Sequence, residues 1–298
     1  MRLHIEHTTR YEYARPVSFG SHRLVIRPRE GHDQRVERMD LRLTPAYELQ
    51  WIRDVFGNSI ALVNWLEPAT ALTIVNDVIV ERIAPFPERT FHEPWHVPFP
   101  PRYDAMEAGI TGVYCSPGFT EDAPAVRAWL TTHLVSNPDD AEGTILALCR
   151  LVHQTVAYQR RREKGVRSPG ETLQLGTGSC RDLATLMMDA ARHLGVAARF
   201  ASGYLHGAAS MAGHASTHAW TEVYLPTLGW RGFDPTIGAR TSSHHIVTGV
   251  STHPRGVMPV SGVFTGSRAD PQSLYVSVKT TLLTPMAGTP AVGAIELR

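Results

Sequence analysis

Cys180, His218 and Asp234 are the residues whose types and surroundings could do covalent chemistry. Cys180 follows the small run Gly176-Thr177-Gly178-Ser179 and stands at the start of a helical pattern. A helix start carries unpaired N–H groups and partial positive charge. Both favour the thiolate, the nucleophilic form of cysteine. The same N–H groups suit an oxyanion forming on a substrate carbonyl. A thiolate that attacks an amide also needs a base that later gives a proton to the leaving amine, work histidine does near neutral pH. The imidazole must itself be held in one tautomer and orientation. Thr217-His218-Ala219-Trp220 and Gly232-Phe233-Asp234-Pro235 supply an imidazole and a carboxylate. Alone, each of the three has a plain structural reading: a small buried thiol, a strand histidine, a turn-forming Asp-Pro. Together, at a capped helix start and on the two flanks of one hairpin, they point to nucleophilic catalysis.

The elements that must position these groups are legible around them. Ser179 is the expected N-cap of the helix, with Asp182 three residues on as its capping partner. Leu183, Leu186, Met187, Ala190 and Leu194 form an apolar face, and Gly195 stops the helix. Val196–Leu205 reads as a strand and Gly207–Ser216 as a loop. His218–Leu225 and Trp230–Asp234 read as strands around a Pro226–Gly229 turn. With that turn centred on residues 227 and 228, His218 and Asp234 are staggered by a few positions, a gap for a bulge or twist to close. Upstream, Asp122 is the expected N-cap of a helix to about Val135. Ile145, Leu148, Cys149, Val152 and Val156 form a buried helical stripe. Ser168-Pro169-Gly170-Glu171 has the spacing of a capping box.

The flanks differ in pattern. Residues 1 to about 84 read as short strands, with Leu3, Ile5, His7, Thr9, Tyr11 and Tyr13 alternating. Turn signals such as Phe56-Gly57-Asn58 and Glu67-Pro68 separate them, and a small sandwich or barrel is expected. Residues 85–118 are proline-dense and are expected to form a linker or irregular cover. The tail from His244 reads as more strands, notably Ser273–Leu283. The expected division is an N-terminal β-domain over 1–90, a proline-rich stretch over 91–120 and a catalytic domain over 121–298. A length of 298 residues accommodates two domains. The formal net charge of +1 gives no reason to expect nucleic acid or an anionic membrane as partner. Three cysteines, Cys115, Cys149 and Cys180, make no disulfide framework. With a polar, alternating N-terminus, they suggest a cytoplasmic protein.

Other residues compete for roles. A second oxyanion donor could come from the Gln174 amide or the Tyr158 hydroxyl, against plain surface and packing readings. Trp220 shares the strand face of His218 and could shield an ion pair or simply fill the core. Capping accounts for Asp182, and a second negative charge would disfavour a thiolate. His92-Glu93-Pro94-Trp95-His96 has the H-E-x-x-H spacing of a zinc site, but Pro94 and Pro98 oppose the helix that motif needs. His206, His214 and His218 lack helical spacing, and His244 and His245 are neighbours that point apart on a strand. Cys115 and Cys149 lack a C-x-x-C partner. No acidic loop has calcium-ligand spacing. No metal and no cofactor are expected.

The segments GTGSCRDLATLMMDAARHLGVAARFASGYL and THAWTEVYLPTLGWRGFDPT resemble the core of the bacterial transglutaminase-like superfamily, through C-R-D, H-A-W and F-D-P-T. Arg27-Pro28-Arg29 and Phe56-Gly57-Asn58 resemble the β-domain that precedes this core in bacterial members. His245-Ile246 and Pro259–Gly266 resemble the segment that follows it. The resemblance implies an α+β fold: a papain-like core of helices packed on an antiparallel sheet, preceded by a β-sandwich-like domain. It implies Cys180 as nucleophile, His218 as base and acid, and Asp234 as orienter. The expected activity is cysteine-dependent hydrolysis of a peptide or protein amide through a thioester. Acyl transfer to a primary amine stands second, and a non-catalytic binding module third.

Overall fold

The structure is a computed structural model that describes residues 1–83, 97–161, 163, 165–207, 216–266 and 271–283. The N-terminal part contributes β1 (Arg2–Phe19), β2 (His22–Leu24), β3 (Gln34–Thr44), β4 (Tyr47–Arg53), β5 (Ser59–Trp65) and β6 (Ala69–Arg82). The helical part contributes α1 (Ala108–Cys115), α2 (Ala123–His133), α3 (Ala141–Thr155), β7 (Ala157–Tyr158), α4 (Pro169–Leu175), β8 (Thr177–Gly178) and α5 (Cys180–His193). Then come β9 (Ala198–Leu205), β10 (Ser216–Leu225), β11 (Gly229–Asp234), β12 (Ala239–Arg240), β13 (His245–Ser251), β14 (Val260–Ser261), β15 (Phe264–Thr265) and β16 (Pro271–Leu283).

Strict alternation makes the N-terminal part a sandwich. Buried residues alternate from Leu3 to Thr9 in β1 and from Leu72 to Val80 in β6, as expected where one face of a sheet meets a core. One sheet has the order β15-β1-β6-β3, with β16 also on β1, and the other β14-β2-β5-β4. Val17, Phe19, Leu24, Ile26, Leu43, Val63, Leu72 and Ile74 fill the space between them. The sequence reading grouped residues 121–298 as one unit. However, β14 hydrogen-bonds to β2, while β15 and β16 hydrogen-bond to β1. The C-terminal strands therefore complete the N-terminal sheets. Strand character is local, but the choice of sheet depends on long-range pairing that alternation does not encode.

The second half is built around α5. Its sequence predicts one apolar face, yet every residue from Asp182 to Arg192 is buried. Its polar residues find partners inside, although Asp189 Oδ2 accepts no hydrogen bond and lies 3.5 Å from His193 Nε2. Thr185 donates to the Arg181 carbonyl, Asp189 accepts from the Gly118 N–H, and Arg192 donates to the carbonyls of Ala198 and Thr252. Helices α2 and α3 and the sheet β12-β11-β10-β9-β13 surround it. Ile145, Leu148, Cys149, Val152 and Val156 are all buried in this core.

Two local expectations need correction. The proline-dense stretch contains α1, which forms in the proline-free interval between Pro101 and Pro117. Asp122 does not cap α2: its backbone is helical, and its carboxylate accepts instead from the Gly170 N–H at the start of α4, at 2.9 Å. A preceding 3₁₀ turn, Thr120–Asp122, consumes the position that a cap would occupy.

The halves meet along β13, the last strand of the second half's sheet. Asn58 presents its amide to that edge, donating to the Val250 carbonyl at 2.8 Å and accepting from the Val250 N–H at 2.9 Å. Arg29 holds Asn58 in turn. Leu3, Ile5, Val78 and Val80 pack on Tyr204 and Ile246. The described residues contain no helix long and apolar enough to cross a membrane.

Candidate active site

Cys180 is the first residue of α5. Asp182 fixes the chain there: it is fully buried and its Oδ2 accepts from both the N–H and the hydroxyl of Ser179, at 2.8 Å each. Arg161 grips the same carboxylate with two nitrogens, at 2.8 and 3.0 Å, and the Arg167 N–H adds a third partner. Burial alone would raise the Asp182 pKa, but Arg161, Arg167 and Ser179 more than offset it, so it lies below the usual range. Gly178 is required by close approach, since a Cβ there would stand 2.9 Å from the Asp182 Cβ.

His218 sits on β10 and Asp234 at the end of β11. The register pairs Thr221 with Phe233 and carries no shift. One step further sets Asp234 opposite Trp220, on the face that His218 shares. The expected stagger therefore closes as a diagonal cross-strand pair, without a bulge. His218 Nε2 lies 2.7 Å from Asp234 Oδ2. This leaves Nδ1 free of Asp234, and Cys180 stands near enough to help raise the His218 pKa. Gly203 stands opposite His218 on β9. A Cβ on Gly203 would strike the Ile246 carbonyl and the Trp220 ring.

Electrostatics favour an ion pair. Burial pulls the His218 pKa down, but the Asp234 charge, the hydrogen bond to it and the contact with Cys180 outweigh this and raise it well above 6.5. Asp234, fully buried, would be raised by burial; the charge and hydrogen bonds of His218 and His245 hold it well below 3.8. The Trp220 ring is stacked beside His218, at 6.4 Å between centroids, and is buried. It keeps water from that side of the imidazole.

Tyr158 lies on β7, paired with Gly178 two residues before the nucleophile. Burial and then the Cys180 charge push its hydroxyl pKa up, so the two groups feel each other. At 37% exposure its ring borders solvent. Gln174 is exposed on α4, as a surface helix residue would be. The H-E-x-x-H stretch and His214 lie outside the described residues. His206 stacks on His244 and bonds to Thr280 rather than converging with His218. The three cysteines are free, and Cys149 donates to the Ala239 carbonyl.

Ligand-type atoms converge in two places among the described residues: His218, Asp234 and His245, and on the surface His4, Glu6 and Asp77. In the buried group both imidazoles aim Nε2 at the same carboxylate oxygen. Hydrogen bonding accounts for that arrangement. Two members of the site escaped the sequence reading. Arg161 lies in a run of arginines with no periodicity, and His245 is on a strand with no spacing relation to His218.

Comparison with known proteins finds similar sequences and a similar fold. Residues 3–81 fit the bacterial transglutaminase-like N-terminal region, and residues 129–235 fit the transglutaminase-like superfamily core. An uncharacterised protein of Mycobacterium tuberculosis is 28% identical over 283 residues, covering 88% of this chain and 87% of that protein. One from Mycobacterium leprae is 24% identical over 285 residues, covering 93% and 98%. A Cytophaga hutchinsonii structure, provisionally assigned as a cysteine protease, superposes with a TM-score of 0.71 at 17% identity, covering 96% of this chain and 93% of that one. This likeness shows the fold. The chain thus carries a transglutaminase-like superfamily core over residues 129–235, preceded by the bacterial transglutaminase-like N-terminal region over residues 3–81.

Proposed function

We propose that the protein is a cysteine-dependent amide hydrolase that works through a thioester. The observation that carries this reading is the buried His218–Asp234 pair, hydrogen-bonded at 2.7 Å, beside Cys180 at a helix start. His218 takes the thiol proton, and the thiolate attacks the carbonyl carbon of a peptide or protein amide. The oxyanion faces the N–H groups at the start of α5, with the Tyr158 hydroxyl as second donor. The C–N bond breaks as His218 returns the proton to the departing amine. Water, deprotonated by His218, then attacks the thioester, releasing a carboxylic acid and restoring the thiol. Asp234 stays ionised throughout and holds the imidazole. Every step uses side chains of this protein alone.

The test is a peptide library scored by mass, with and without a primary amine, using the parent and Cys180→Ala. New termini or ammonia release that need Cys180 support hydrolysis. Amine incorporation without any cleavage replaces it with acyl transfer. A Cys180 that resists thiol reagents at neutral pH leaves a non-catalytic binding module.

A further inference from the structure

Asp234 receives more hydrogen bonds than a triad requires. Its Oδ1 accepts from the Thr236 N–H at 2.8 Å. Its Oδ2 meets His218 Nε2 at 2.7 Å and, from another strand, His245 Nε2 at 3.1 Å. His245 is 3% exposed and lies edge-on against Trp220, with centroids 5.3 Å apart. Its tautomer is set from behind. The Ser242 N–H points at His245 Nδ1 at 3.1 Å, so that nitrogen carries a lone pair and the ring proton sits on Nε2, facing Asp234. The Ser242 N–H, His245, Asp234 and His218 thus form one continuous line of donors and acceptors, with Cys180 beside its far end.

We propose that His245 is a fourth member of this constellation, a positioning residue whose Nε2–H pins Asp234 Oδ2 where it can hold His218. The proposal rests on the reading of Cys180 as nucleophile. A buried carboxylate with one side free can rotate away from a donor, and a charge-assisted hydrogen bond is sensitive to that rotation. His245 closes the free side with a rigid ring held by Ser242 and Trp220. It arrives from β13, whereas His218 is on β10, so the two donors are fixed independently. Cys180 of α5, His218 of β10 and Cys149 of α3 are the other titratable groups around the cluster, and Tyr158 of β7 faces Cys180.

The measurement is the rate of Cys180 alkylation by iodoacetamide against pH, with the melting temperature recorded for each variant. It needs no substrate. His245→Gln keeps an N–H donor at similar reach, whereas His245→Leu removes it and keeps much of the volume. For His245→Leu the acid limb of the alkylation profile shifts upward by about one pH unit, about tenfold in rate on that limb. His245→Gln stays within about threefold of the parent. A His245→Leu profile that overlays the parent overturns the proposal, as does a folded His245→Gln that is as slow as His245→Leu. If either variant fails to fold, nitrogen-detected NMR of the parent decides. The Nε2–H tautomer of His245 supports the proposal, and the Nδ1–H tautomer overturns it. A parent whose Cys180 is inert at neutral pH overturns the nucleophile reading instead, so the two failures are distinct.

Discussion

Asp182 and Asp234 are both fully buried carboxylates, both held ionised below the usual range, and both packed against α5 or the sheet beneath it. Their partners differ. Asp182 is clamped by a guanidinium and the N–H groups of Ser179 and Arg167. The guanidinium stays charged across the working range. Asp234 is met by two imidazoles and one N–H. An imidazole can gain or lose a proton near neutral pH. The same buried charge therefore fixes the chain at one end of the site and supports proton transfer at the other.

The largest expected contrast lies between an isosteric replacement at Asp234 and a truncation at Arg161. Asp234→Asn keeps the shape but misdirects the His218 tautomer, and Cys180-dependent turnover falls by about 10⁴-fold at temperatures where the variant stays folded. Removing one partner of the other buried pair acts in the opposite way. Arg161→Ala strands a carboxylate with 0% side-chain exposure beside a site once filled by a guanidinium with 8%. It should cost about 3–5 kcal/mol of stability, measured by denaturant unfolding. A full loss of turnover from Arg161→Ala at temperatures where it stays folded would erase the contrast.

The same contrast marks what the sequence makes legible. Ser179 and Asp182 are three residues apart, and a cap is a local geometry that spacing encodes. His218 and Asp234 flank a hairpin, so alternation and a turn suffice to bring them to one face. Arg161 reaches Asp182 from a loop, and His245 reaches Asp234 from a strand that pairs with β9 on the far side of β10. Neither has a periodic relation to its partner, because sheet order and loop path are set by packing across the whole chain. β16 fails in the same way, since its strand character is local but its place on β1 is not.

A pH series sharpens the contrast. Asp182 and Asp234 have folded pKa values below 3.8, so their stabilisation is whole above 3.8 and drains as pH falls through the folded values. His218 is raised above 6.5, so its stabilisation is whole below 6.5 and drains as pH rises through the folded value. His7, lowered by burial to about 4, adds a loss between 6.5 and about 4 that is common to all variants. The stability difference between the parent and Asp182→Asn should therefore vary only on the acid side. For Asp234→Asn it should vary on both sides, because His218 loses its support. Unfolding free energies from acid to alkaline pH read this directly, and an alkaline slope for Asp182→Asn would contradict it.

The smallest effect is expected at the seam between the halves. Asn58 is fully buried and pairs with both main-chain groups of Val250 on β13. Asn58→Ala leaves that N–H and carbonyl without their partners, a loss of about 1–3 kcal/mol. β13 also carries His245, so the seam and one partner of Asp234 share a strand. Yet β13 is paired with β9 along its length, and that ladder holds His245 without help from Asn58. Melting should therefore drop while the pH profile of Cys180 alkylation stays in place at temperatures below the transition. A shift of the acid limb in Asn58→Ala would mean that the N-terminal sandwich sets the geometry of Asp234 through β13, and that the division between the clamp at Asp182 and the relay at Asp234 is less sharp than their partners imply.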